Sequence, residues 1–177
     1  VAPVSNNSDD YLQKSTNGPL AAPPKQVFII LSESLANWPL LDKYKDIPIA
    51  NGMRSIIAEA DTDYCPTFLP NGASTVSAVT GVVTGLADAN LYLTTMPESF
   101  KAPYSTASAP QLKRLGYITN FWYAGPATWE RIGAFTKAQG FDNFYSRGDF
   151  GDVPGSVWGC EDEYLYENVL AGIDAST

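Results

Sequence analysis

Histidine is absent from the 177 residues. A serine or threonine hydroxyl is a poor nucleophile at neutral pH without a base or a metal, and the usual Ser–His arrangement cannot be assembled from this chain. Cysteine occurs only at Cys65 and Cys160. That leaves one disulfide or none and, with no imidazole to join the thiols, argues against a four-ligand zinc centre. No apolar run reaches the ~18–20 residues of a membrane helix. Positive charge is scarce too: 11 Lys and Arg stand against 19 Asp and Glu, a net charge of −8. This excludes a protein whose main task is gripping a nucleic-acid backbone, so no nucleic-acid partner is expected. A small anionic ligand remains open, because a site can be locally positive on an acidic protein.

What is present is globular in character, 45% hydrophobic and 17% charged. Residues 1–25 are rich in Ser, Asn, Pro and Ala and read as an extended linker or a cut end, and residues 26–177 read as the folded part. Val27–Leu31 is a continuous apolar run, the pattern of a strand buried on both faces of a parallel sheet. Met53, Ile56, Ile57 and Ala60 recur at helical spacing within Ala50–Ala60. Val76, Val79, Val83 and Leu86 do the same within Thr75–Leu86. A short helix is expected over Ser108–Leu115 with Ser108 as its cap, then a core strand over Tyr117–Tyr123. Thr128 is expected to cap a helix ending near Gly140, followed by an extended Phe141–Tyr145 and a last helix over Glu161–Leu170. Strands alternating with helices imply an α/β fold, a mainly parallel sheet flanked by helices. Such sheets bind ligands beyond the carboxyl ends of their strands, which singles out Glu33 and the Ala124–Arg131 loop.

Glu33 directly follows the apolar run, so its carboxylate is expected to be partly desolvated. It reads equally as an acid that accepts backbone N–H bonds or caps the next helix. Ser74 and Thr75 follow Gly72 at the start of a helix, where free N–H groups and the helix dipole favour an anion. On that segment alone the plain reading of Ser74 as an N-cap is the stronger one. Together, a carboxylate and a hydroxyl about forty residues apart are what metal-assisted phosphoryl transfer requires.

The order S-E-S after a strand, then G-A-S-T before a helix, resembles the lipoteichoic acid synthase family. These are phosphoglycerol transferases of the alkaline phosphatase and sulfatase superfamily. The resemblance continues through TWERIGAFTKAQGFDNFYS and SVWGCEDEYL, and covers roughly Gln26–Leu170. It implies an alkaline phosphatase/sulfatase-like fold with Thr75 as nucleophile and metal ligand. Glu33 would be a metal ligand, Trp129 and Arg131 would line the substrate pocket, and Ser74 is the alternative nucleophile. It implies a divalent metal, Mn²⁺ or Mg²⁺ with Zn²⁺ or Ca²⁺ as alternatives, held weakly here. The substrates implied are a phospholipid headgroup and a hydroxyl acceptor.

The family completes its metal site with an Asp-His pair and a further His, which this sequence lacks, and its domain is about twice as long. The chain therefore reads as the N-terminal half of such a domain, missing its C-terminal half and inactive alone. Apolar surface left by that half makes self-association an expectation. The parent is expected outside the cytoplasm, anchored by N-terminal membrane helices. Type I sulfatases are a competing resemblance, but their C-x-P-x-R is only C-P-T-F-L at Cys65, which is instead expected to be buried or paired with Cys160. A sulfatase- or phosphodiesterase-type hydrolase, or a binding domain without a metal site, are the remaining readings.

Overall fold

The computed structural model describes residues 24–87 and 89–174. The linker expected over residues 1–25 lies outside them except for Pro24 and Lys25. The described residues form two compact units, one of residues 26–70 and one of residues 71–174 with Pro24 and Lys25.

The larger unit is an α/β assembly built by two successive helix-to-strand passages. Helix α3 (Ser108–Arg114) leads to strand β1 (Asn120–Tyr123), and α4 (Ile132–Ala138) leads to β2 (Asn143–Ser146). Both helices end in the same way. Gly116 and Gly140 take φ of 92° and 95°, a conformation that glycine adopts without Cβ strain. The next residue then donates back across the last turn: Tyr117 N–H to the Leu112 carbonyl, Phe141 N–H to the Thr136 carbonyl, each at 3.2 Å. This turn reverses the chain into the strand.

The two strands pair in parallel, and three consecutive register pairs also interact through their side chains. Asn143 Nδ2 donates to Asn120 Oδ1 at 2.8 Å. Phe121 stacks on Phe144 at 5.6 Å, and Trp122 on Tyr145 at 4.0 Å. Such cross-strand pairs contribute about 0.2–1 kcal/mol each and together pin the register. Asp142 adds a tie at the strand entry, accepting from the Thr119 N–H at 2.9 Å and from Lys113 Nζ at 2.5 Å.

Helix α2 (Thr75–Thr84) supplies the other side of the core. Val83 is buried with Leu93, Ile132 and Phe135, and the half-buried Val79 and Leu86 join them, so most of the expected apolar stripe faces inward. Thr80 and Thr84 of this helix are also buried. Thr80 donates to the Ser77 carbonyl and Thr84 to the Thr80 carbonyl, so no hydroxyl is left to desolvate unpaired. A second, smaller pair, β3 (Gly155–Ser156) with β4 (Gly159–Cys160), is antiparallel and precedes α5 (Asp162–Asp174).

Several expectations are corrected. Val27–Leu31 forms no hydrogen-bonded strand, and its side chains are 48–65% exposed. A strand buried on both faces needs strands beside it and helices above and below. The described parallel sheet consists of β1 and β2, which pair with each other. Helix α1 (Asn51–Ile57) stops short of Ala60, and Met53 and Ile56 on its apolar stripe are exposed. Ser108 is not a cap but the first helical residue of α3: its hydroxyl donates to the Val83 carbonyl, tying α3 to the end of α2. Thr128 makes no capping bond either, because a 3₁₀ turn, Trp129–Arg131, intervenes before α4. Cys65 is exposed and Cys160 buried, and both are free thiols.

Within the smaller unit, Arg54 on α1 donates to the Pro39 carbonyl at 2.7 Å, and Tyr64 donates to Asn37 Oδ1 at 2.6 Å. These polar ties and an edge-on Trp38–Tyr44 contact at 5.1 Å organise a segment with little buried apolar surface.

Candidate functional site

The start of α2 is the most closely specified part of the site. Ser74 has extended backbone (φ −129°, ψ 163°) and is the N-cap. Its Oγ accepts from the Ser77 N–H at 3.4 Å, and Ser77 Oγ accepts from the Ser74 N–H at 3.0 Å. The two hydroxyls lie 2.9 Å apart. This reciprocal capping box satisfies donors that a helix start otherwise leaves open. Gly72 makes it possible: a Cβ there would overlap the Ser77 side chain. Thr75 is the first helical residue and is half-buried. The N-G-A-S-T segment therefore closes tightly over the helix start, with the Ser74 hydroxyl committed to the cap.

Trp129 and Arg131 sit beyond the carboxyl end of β1, where a parallel sheet presents its loops. Trp129 is half-buried against the core and lies 5.7 Å from the Tyr123 ring. The backbone here is unusual. Glu130 and Arg131 take φ of 45° and 58°, two consecutive non-glycine residues in the left-handed region. That conformation costs about 1–2 kcal/mol per residue and persists only where its surroundings enforce it. Part of that enforcement is visible at Arg131. Its Nη1 donates to the Thr94 carbonyl at 3.4 Å, and its guanidinium carbon stands 4.0 Å from the centroid of the Phe100 ring. A shallow open depression of about 550 Å³ adjoins it, lined by Thr128, Arg131, Ala134, Lys137 and Phe144 among others.

Thr75, Trp129 and Arg131 thus belong to one compact unit. The turn Leu93–Thr95 touches both α2 and the Trp129–Arg131 turn. Glu33 belongs to the other unit. It is exposed in a turn whose next residue, Ser34, has φ of 56°, so the expected desolvation of its carboxylate is not found. Among the described residues no three His, Cys, Asp or Glu side chains come together to hold a metal ion. One carboxylate and one hydroxyl are too few for Mn²⁺ or Mg²⁺, so the described residues do not fit such a metal as a complete site.

Sequence reasoning missed Thr94 and Phe100, which hold Arg131. They lie 37 and 31 residues before it, and no helical or strand period links such positions. Nor did it find Asp142. The Lys113 ammonium and the Thr119 N–H hold that carboxyl well below its ordinary 3.8, at about 2. Burial pushes the Cys160 thiol up, away from the reactive thiolate.

No family model matches the sequence, and no curated protein matches it. Two solved structures are similar. A protein of the alkaline phosphatase superfamily from Vibrio parahaemolyticus is 25% identical over 56% of this chain and 24% of its own, with a TM-score of 0.48. The lipoteichoic acid synthase LtaP from Listeria monocytogenes is 23% identical over 61% of this chain and 26% of its own, with a TM-score of 0.53. The similarity to LtaP shows a shared fold. The chain matches about a quarter of the length of either structure.

Proposed function

We propose that this chain carries part of the catalytic domain of a transferase acting on phosphate esters, with a phospholipid headgroup of the phosphoglycerol kind as donor and a hydroxyl compound as acceptor. Thr75 is the nucleophile. Its Oγ1 attacks phosphorus, the bond from phosphorus to the lipid's ester oxygen breaks, the Oγ1 proton ends on that oxygen as the lipid alcohol leaves, and a phosphoglycerol diester of Thr75 results. The acceptor hydroxyl then displaces Thr75. Arg131 binds the phosphate oxygens, because a guanidinium matches their geometry and charge, and Trp129 packs against the glycerol or lipid portion.

The observation that carries this reading is the start of α2. The Ser74 hydroxyl is occupied in a capping box, which supports Thr75 over Ser74 as the reacting group. The positive end of the helix dipole favours the developing phosphate charge. A divalent cation, Mn²⁺ or Mg²⁺ by preference, is part of the proposal, with Thr75 in the larger unit and Glu33 in the smaller each kept as a candidate ligand. Since the described residues do not complete its coordination, no step is derived through it. The enzyme is proposed to act outside the cytoplasm, anchored by N-terminal helices. No helix among the described residues is long and apolar enough to cross a membrane. Self-association through the exposed Val27–Leu31 run belongs to the same proposal.

The test is mass spectrometry of the full-length parent after incubation with phosphatidylglycerol. A phosphoglycerol adduct on Thr75, lost in Thr75→Ala, is expected. Turnover undiminished by Thr75→Ala would refute the mechanism.

A further inference from the structure

We infer that Phe100 is a positioning residue for Arg131, holding its guanidinium as a preformed anion receptor. This rests on the reading of Arg131 as the phosphate-binding group. The guanidinium lies 4.0 Å over the Phe100 ring, whose negative face attracts a cation. The ring is itself fixed, half-buried in the 3₁₀ turn Pro97–Phe100 and packed edge-on against the fully buried Phe135 at 6.2 Å. The Thr94 carbonyl takes one Nη1 proton at 3.4 Å. Ring and carbonyl therefore define the plane and the direction of an otherwise exposed side chain.

Neither partner neutralises it. The ion pairs among the described residues are Lys101–Glu98 and Lys113–Asp142, and neither involves Arg131. An arginine serving only to brace the fold commonly takes a carboxylate. Here the charge is kept, with further N–H donors of the fork unclaimed among the described residues. The strained turn acts in the same direction. Glu130 and Arg131 hold left-handed backbone at the point where Arg131 leaves the chain, and an ordinary helical entry would send it elsewhere. A receptor aimed before the ligand arrives loses less side-chain freedom on binding.

The test titrates sn-glycerol 1-phosphate into the 177-residue chain while the Arg131 guanidinium N–H resonances are followed by NMR. A series with fluorinated phenylalanines at position 100 preserves the shape and burial of the ring while draining its negative face. Affinity should fall progressively across the series by roughly three- to tenfold, and Phe100→Tyr should retain it. The Arg131 resonances should show a ring-current shift that Phe100→Leu abolishes. Affinity flat across the fluorinated series, with binding still lost in Arg131→Ala, would overturn the role of Phe100 alone. Binding undiminished in Arg131→Ala, or no binding by the unaltered chain, would overturn the phosphate-binding reading and the positioning role with it. A destabilised Phe100→Leu leaves the fluorinated series decisive, because a purely structural role would not follow the ring's electron density.

Discussion

Replacing Ser74 and Thr75 separately by alanine should produce opposite phenotypes at adjacent positions. Ser74 closes the helix start through a long bond from the Ser77 N–H at 3.4 Å and a hydroxyl contact at 2.9 Å. Ser74→Ala removes both, but Ser77 Oγ keeps its bonds to the Ser74 N–H and carbonyl, each at 3.0 Å. Half of the box survives, so the cost should lie in the middle of the range for cap removal, about 1 kcal/mol. For a chain of this length that lowers the thermal midpoint by roughly 2–4 °C. The phosphoglycerol adduct in the full-length parent should survive, since the Thr75 hydroxyl remains. Thr75→Ala instead introduces the best helix former at the first helical position, and Thr75→Ser keeps a hydroxyl there. The first should abolish the adduct and the second should retain it. Scanning calorimetry of the 177-residue chain and mass spectrometry of the parent provide the two readouts. An unchanged midpoint in Ser74→Ala would refute the cap's contribution. An adduct that vanishes in folded Ser74→Ala and persists in Thr75→Ala would reverse the assignment of the nucleophile.

Other outcomes follow from the same structure. The Asp142 carboxyl is held at about 2 against an ordinary 3.8, so its contribution to stability is fully present above about pH 4 and is lost as pH falls through about 2. Asp142→Asn should flatten the acid limb of a midpoint-versus-pH curve within that window, and an unchanged limb would contradict it. In native buffer one thiol, Cys65, should react quickly with a chromogenic disulfide, and Cys160 should react only after unfolding. Two equally fast thiols would contradict the burial of Cys160. Ile29→Lys within the exposed apolar run should reduce concentration-dependent association measured by sedimentation. An unaltered 177-residue chain that stays monomeric across the whole concentration range would refute the association.

What could be read from the sequence was local. The apolar stripe of α2, the serine at its start and the glycines that end α3 and α4 each act within a few residues, and each is found at or near its expected place. Periodicity reports only which face of a segment is apolar, not what covers that face. That is why Val27–Leu31 reads as a core strand and yet lies exposed, and why Met53 and Ile56 do the same. Cap residues failed for a related reason. Ser108 and Thr128 have the right chemistry, but a tertiary partner for Ser108 and a left-handed turn after Thr128 displaced the helix starts. Among candidate site residues, Thr75, Trp129 and Arg131 were visible as a motif. The ring and carbonyl that orient Arg131 come from a turn distant in sequence, where no spacing rule reaches.

Gln139 carries a consequence for how this protein can change. Its side chain is fully buried, yet both ends of its amide are used: Oε1 accepts from the Tyr104 N–H at 3.0 Å, and Nε2 donates to the Ser99 carbonyl at 2.7 Å. The amide presents one donor and one acceptor, as a peptide group does, so it stands in for a neighbouring strand that the loop between Ser99 and Tyr104 does not have. The path of that loop is therefore recorded in backbone atoms rather than in its exposed side chains. Lys101 and Ala102 should accept almost any residue. Proline at position 104 would delete the N–H that Gln139 reads, and glutamate at 139 would set a buried acid against the Ser99 carbonyl. Sequence drift in this loop is free in the side chains that show and forbidden in the atoms that do not.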